Sequence, residues 1–184
     1  MSQTVLITGA SNGIGKACAR VFARKGYDLV LVARHREKLE AVKAELSEYD
    51  VQIKVIAMDL TGEDAAVDLY NDLVLDDINI DILVNNAGFG DHGAFHDSSW
   101  EKQKKMVLLN IVALMQMTYV FGQAMKRRKK GRILNVASIA GLCAGPYMST
   151  YYATKAFVLS FSESIAYELK DYNVEASCLS LIHI

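Results

Sequence analysis

Residues 150–157 read TYYATKAF, which places Tyr151 and Tyr152 just ahead of Lys155. On a helix, residues four apart share a face about 6 Å apart along the axis, and residues three apart also share one. Either phenol can therefore have the ammonium as its neighbour. A free phenol ionises near pH 10, too high for a base at neutral pH, and each unit of depression needs about 1.4 kcal/mol of preferential stabilisation of the phenolate. A lysine charge in a partly dry site can supply several such units. The pair is a candidate acid/base device, and spacing alone leaves open which tyrosine serves in it.

A second cluster lies near the amino terminus. In TGASNGIG, Gly9, Gly13 and Gly15 fall between an apolar run and a segment with helical spacing. Glycine lets the backbone turn sharply and approach a pyrophosphate, and the following helix offers unpaired N–H groups and a positive dipole end. The spacing is G-x-x-x-G-x-G. At the end of the next apolar run the chain reads LVLVARHREKL, with Ala33 where an acid for a free ribose would be expected, Asp28 at the wrong end and no carboxylate before Glu37. Arg34 follows at once, and its fork of donors suits a 2′-phosphate. NADP(H) is therefore expected over NAD(H). The plainer alternative is that Arg34 and Arg36 only solubilise a helix start, although a helix N-terminus disfavours cations.

These residues need elements to hold them. Short apolar runs recur at 4–8, 29–33, 53–59, 81–85, 132–138 and 174–180, with helical segments between. The runs are continuously apolar, as strands covered on both faces must be, which predicts an α/β fold with a doubly wound parallel sheet. A helix is expected from about Ser98, as N-cap with Glu101 three residues on, to Lys129, where cations precede Gly131. A second is expected over 151–171. Both carry apolar residues on more than one face, for example Phe157, Phe161, Ile165 and Leu169 beside Val158 and Leu159.

The 184 residues suit one domain, 1–184, and a formal charge of -1 gives no reason to expect nucleic acid or an anionic membrane. A small molecule is the expected partner, and no metal is expected. Cys18, Cys143 and Cys178 are odd in number and widely spaced, which reads as reduced thiols in a cytoplasmic protein. MSQTVLITG runs straight into a strand, and no apolar run approaches 18 residues, so neither export nor a membrane span is expected.

TGASNGIG, NNAG at 85–88, Ser138 and YYATK, in this order and at matching separations, resemble the short-chain dehydrogenase/reductase family from about residue 4 to about 178. The resemblance implies a Rossmann-like sheet of order 3-2-1-4-5-6. It implies Tyr151 as proton donor with Lys155 binding ribose and tuning it, Ser138 binding the substrate carbonyl oxygen, and Asn110 holding a water linked to the lysine. It implies cofactor contacts at Gly9, Ser11, Asn12, Gly13, Ile14, Gly15, Arg34, Asp59, Leu60, Asn86, Ala87 and Gly88, besides Tyr151 and Lys155. Tyr152 would pack or point to substrate. The implied activity is transfer of the pro-S hydride between NADP(H) and a ketone or secondary alcohol, by a homodimer or homotetramer joined through the two long helices. The alternative is a dinucleotide-binding or dimerising module without turnover. Family members usually run further, through a Pro-Gly turn, a mobile substrate loop and a seventh strand; here the sole proline is Pro146 and the chain passes from EASC to LSLIHI. A truncated or misread C-terminus lacking the substrate loop is expected.

Overall fold

Alternate residues of strand β1 (Thr4–Thr8) are buried against opposite layers, which is why its sequence is apolar without interruption. In the computed structural model, which describes residues 2–180, Val5 and Ile7 pack with Ala19 and Ala23 of α1 (Gly13–Arg24) and Leu39 and Val42 of α2 (Arg36–Glu45). Leu6 packs on the other face with Leu69 and Leu73 of α3 (Ala65–Leu75) and Met117, Phe121 and Met125 of α5 (Leu114–Arg128). The strands β2 (Asp28–Ala33), β3 (Ile53–Ala57), β4 (Ile82–Asn85), β5 (Gly131–Val136) and β6 (Val174–Leu179) complete one sheet of order β3-β2-β1-β4-β5-β6, every pairing parallel. This is the Rossmann-like order expected from the sequence. The order reverses between β1 and β4, and a crevice opens outside the carboxyl ends of the strands at such a point.

Several boundaries differ from expectation. β3 ends at Ala57 and β5 at Val136, so Asp59 and Ser138 each lie two residues beyond a strand. The helix expected from Ser98 begins at Trp100, with Ser99 as N-cap and no side-chain cap, because the Ser98 hydroxyl donates instead to the Ala94 carbonyl at 2.9 Å. It runs through α4 (Trp100–Val107), a π-helical turn at Leu108–Ala113 and α5, and closes on Lys129 in the left-handed conformation, φ 51°. By length and composition Trp100–Arg128 could cross a bilayer, which counting uninterrupted apolar residues did not anticipate; Met106, Ala113, Leu114, Met117, Phe121 and Met125 are instead buried within the protein. The helix carrying the tyrosines, α6 (Ser149–Leu169), starts two residues earlier than expected and ends in a 3-10 turn at Lys170–Tyr172. The apolar ending LIHI, on which the expectation of an interrupted C-terminus partly rests, lies outside the described residues.

Candidate active site

Two cavities meet at the crevice, and Tyr151 and Gly90 line both. The inner one, about 330 Å³, is walled by Gly9, Asn12, Gly13, Ile14, Asn86, Ala87, Gly88, Val136 and Lys155 among others. The outer, about 510 Å³, is walled by Asp91, His92, Ser138, Ile139, Ala140, Met148 and Tyr152. Both sit over the carboxyl ends of β1, β4 and β5. A larger groove of about 1000 Å³ lies at the other end of the sheet among ion-paired side chains such as Lys54–Asp76 and Lys130–Asp81, and holds none of the residues singled out from the sequence except Arg36 and Asp28.

The inner cavity is shaped by glycine where space demands it. Gly9 holds φ 66°, and a Cβ there would stand 2.8 Å from Asn86 Nδ2 and 2.9 Å from Ala87 Cα. At Gly15 a Cβ would meet the Gly9 carbonyl oxygen at 2.3 Å, so this glycine lets α1 close on the turn. Thr8, which the sequence reading missed, ties the two loops together: its hydroxyl oxygen accepts from the N–H groups of Asn86 and Ala87, both at 3.0 Å, and the Asn86 amide donates to the Thr8 carbonyl at 2.9 Å. The Asn12 side chain does not cap α1, and no acid stands in its first turn. The leading N–H groups and positive dipole end of α1 are thus left to a ligand, and nothing fills the space where a Gly13 Cβ would point. The residues fit an anionic dinucleotide.

Lys155 is buried, and its Nζ donates to the Val136 carbonyl at 2.8 Å and lies 5.8 Å from the centroid of the Tyr151 ring. Burial pushes its pKa down to about 8, against a smaller opposite pull from Cys178. The Cys178 thiol is itself pushed up by burial. Tyr152 takes another direction: its ring packs on Gly145, where a Cβ would meet it at 2.4 Å, and it lines only the outer cavity. Geometry thus separates two tyrosines that spacing left equivalent.

The Ser138 oxygen accepts the Ala140 N–H at 3.2 Å, opening the 3-10 turn Ile139–Leu142 and leaving the hydroxyl proton to donate. Asn110, in the π-helical turn, is buried; its amide donates to the Phe89 carbonyl at 2.9 Å and the Thr154 hydroxyl oxygen at 3.1 Å, and its oxygen accepts the Phe89 N–H at 3.0 Å. A Cβ on Gly88 would stand 2.9 Å from that oxygen, so the loop after β4 needs glycine here. Behind the site the Asn85 amide donates to Thr118 and Asn135, whose amide donates to Ser162. Asparagines interrupting the apolar runs DILVN and RILNV were the available sign of this buried chain.

Not every expected residue reaches the cavities. Ser11, Gly15, Arg34, Asp59, Leu60 and Asn110 lie outside both walls. Arg34 is exposed just past β2 and pairs with no carboxylate among the described residues, whereas Arg36 faces Glu40 at 3.5 Å. Burial alone would push the Asp59 carboxyl up, but the N–H and hydroxyl of Thr61, with Lys105 at 3.5 Å, hold it below its ordinary range.

The family model described as short chain dehydrogenase matches residues 3–182. A very-long-chain 3-oxoacyl-CoA reductase of Coccidioides immitis (strain RS) is 35% identical over 92% of the chain and 50% of that protein, so the chain spans about half the length of this relative. A short-chain dehydrogenase from Sphingobium yanoikuyae in complex with NADPH superposes with a TM-score of 0.91 at 37% identity, covering 97% of this chain and 70% of that one. An NAD+-bound xylitol dehydrogenase also superposes at 0.91, with 30% identity and coverage of 97% and 69%.

Proposed function

Because the chain belongs to the short-chain dehydrogenase family, a family of oxidoreductases, we propose that it moves a hydride between NADP(H) and a ketone or secondary alcohol. The observation that carries this reading is the place of Tyr151 on the wall shared by both cavities, one helical turn before a buried lysine. When bound, the coenzyme supplies the hydride in reduction and accepts it in oxidation. In the reducing direction Tyr151 gives its hydroxyl proton to the carbonyl oxygen as the carbon gains the hydride, which leaves a phenolate. Lys155 stabilises that phenolate through its charge and binds ribose. Ser138 donates a second hydrogen bond to the same oxygen, where negative charge gathers. Asn110 holds the Phe89 loop against α6 and so fixes Lys155 relative to the inner cavity; the family pattern adds a water between them.

Gly9, Ser11, Asn12, Gly13, Ile14, Gly15, Asn86, Ala87 and Gly88 would cradle the coenzyme, with Asp59 and Leu60 near its adenine. Arg34 would bind the 2′-phosphate, supported by its exposure without a carboxylate partner among the described residues and by the NADPH-bound relative. The 3-oxoacyl-CoA reductase supports a ketone substrate. The test is a fluorescence titration with NADPH followed by a panel of ketones. Tight binding with consumption of NADPH supports the proposal, and binding with none turned over supports a non-catalytic dinucleotide module instead.

A further inference from the structure

The outer cavity has a wall that hydride transfer does not use. Two loops meet there: the Gly93 N–H donates to the Tyr147 carbonyl at 2.8 Å, and the Tyr147 ring stacks on His92, centroids 6.0 Å apart and planes at 26°. Tyr147 holds φ 65°, a left-handed conformation that a bulky residue keeps only when its surroundings impose it. The strained residue thus serves as a backing plate for the imidazole. His92 is exposed, lines the same cavity as Ser138 and Tyr151, and among the described residues makes no hydrogen bond at either ring nitrogen. Its neighbour Asp91 is occupied by Lys102, and Ile139, Ala140 and Met148 offer apolar side chains.

Taking the reaction proposed above as its frame, we propose that His92 is a specificity residue, donating a hydrogen bond to a second oxygen of the substrate remote from the reacting carbonyl. The substrate class is then an oxo compound with a distal acceptor, a carboxylate or an acyl carbonyl. An imidazole presented by stacking keeps both nitrogens for a ligand, and the apolar side chains of Ile139, Ala140 and Met148 in the same cavity suit the hydrocarbon joining the two oxygens. Tyr152, which brings a third hydroxyl to this cavity beside those of Ser138 and Tyr151, lies with its ring against Gly145.

Three ketones of equal chain length, ending in carboxylate, methyl ester or methyl, are titrated by calorimetry into the full chain saturated with NADP+, where no hydride is available. The carboxylate or the ester is expected to bind about tenfold tighter than the methyl-ended ketone, as one hydrogen bond allows. His92→Phe should erase that preference while leaving the methyl-ended ketone within about twofold, His92→Gln should keep part of it, and Tyr152→Phe should keep it whole. Preference for the carboxylate alone identifies an anion as the recognised group, and preference for both identifies a neutral carbonyl oxygen. Absence of preference in the parent protein, its survival in His92→Phe or its loss in Tyr152→Phe overturns the assignment. Failure of the reaction itself reads separately, as no NADPH consumption with any of the three ketones.

Discussion

At Lys155 the sequence supplies the ammonium, but the fold decides how much it costs to keep. The unfolded chain holds the proton to about its ordinary pKa of 10.5, whereas the folded one releases it near 8. Between those values the unfolded state binds more protons, so stability rises with pH, and below 8 the cost of burying the charge is fully present. Measured by denaturant unfolding against Lys155→Met, the parent protein should gain roughly 3 kcal/mol on passing through that window. The i, i+4 spacing to Tyr151 was legible in the sequence; the Val136 carbonyl that anchors the amine was not, because it lies 19 residues away and becomes a neighbour only when α6 packs beside β5. Arg34 yields a second expectation. Arg34→Ser should weaken NADPH binding about tenfold or more and leave NADH within about twofold, since it removes a guanidinium that only the 2′-phosphate would engage. Equal losses for both coenzymes in fluorescence titrations would show that Arg34 does not read the phosphate.

The elements carry the site through their ends and irregularities. Strands β1, β2 and β4 were legible because burial on both faces makes them apolar almost throughout, whereas the edge strands β3 and β6 are only partly buried. Strand ends were not legible: after β3 and β5 only one more N–H, that of Met58 or Ala137, reaches the neighbouring strand, before Asp59 and Ser138 turn away. The capping box at Ser98 failed because a hydroxyl three residues before a glutamate has other acceptors, here Ala94. Helical periodicity over 98–129 could not reveal the π-helical turn at Leu108–Ala113, which inserts its irregularity around Asn110. That asparagine answers both backbone groups of Phe89 and reaches Thr154. Asn110→Ala should therefore cost about 1–3 kcal/mol, because it strips a partner from two part-buried backbone groups of Phe89 and from the buried Thr154 hydroxyl. Hydrogen exchange at the Phe89 amide should quicken by more than global unfolding accounts for; unchanged protection there would mean that the loop after β4 is held by something else.

For the molecule as a whole, the sheet order places the glycine turn, the loop after β4 and the start of α6 at one crevice, a convergence that the linear spacing of the motifs implied through the family resemblance and that composition could not. Across the surface of α4, the π-helical turn and α5 run Trp100, Val107, Val112, Met115 and Tyr119, all exposed, and Tyr167 of α6 is exposed as well. A homo-oligomer built on these helices would cover them, so sedimentation should give a mass of at least two chains; a monomer at micromolar concentration would leave these side chains to another partner. The proposed reaction rests above all on proton transfer by Tyr151. Its most direct test is to compare the parent protein and Tyr151→Phe for ketone-dependent NADPH oxidation and for NADPH binding. The expected result is a loss of turnover on the order of 10³-fold with coenzyme affinity within about threefold, and a variant that still turns over at the parent rate would contradict the central claim.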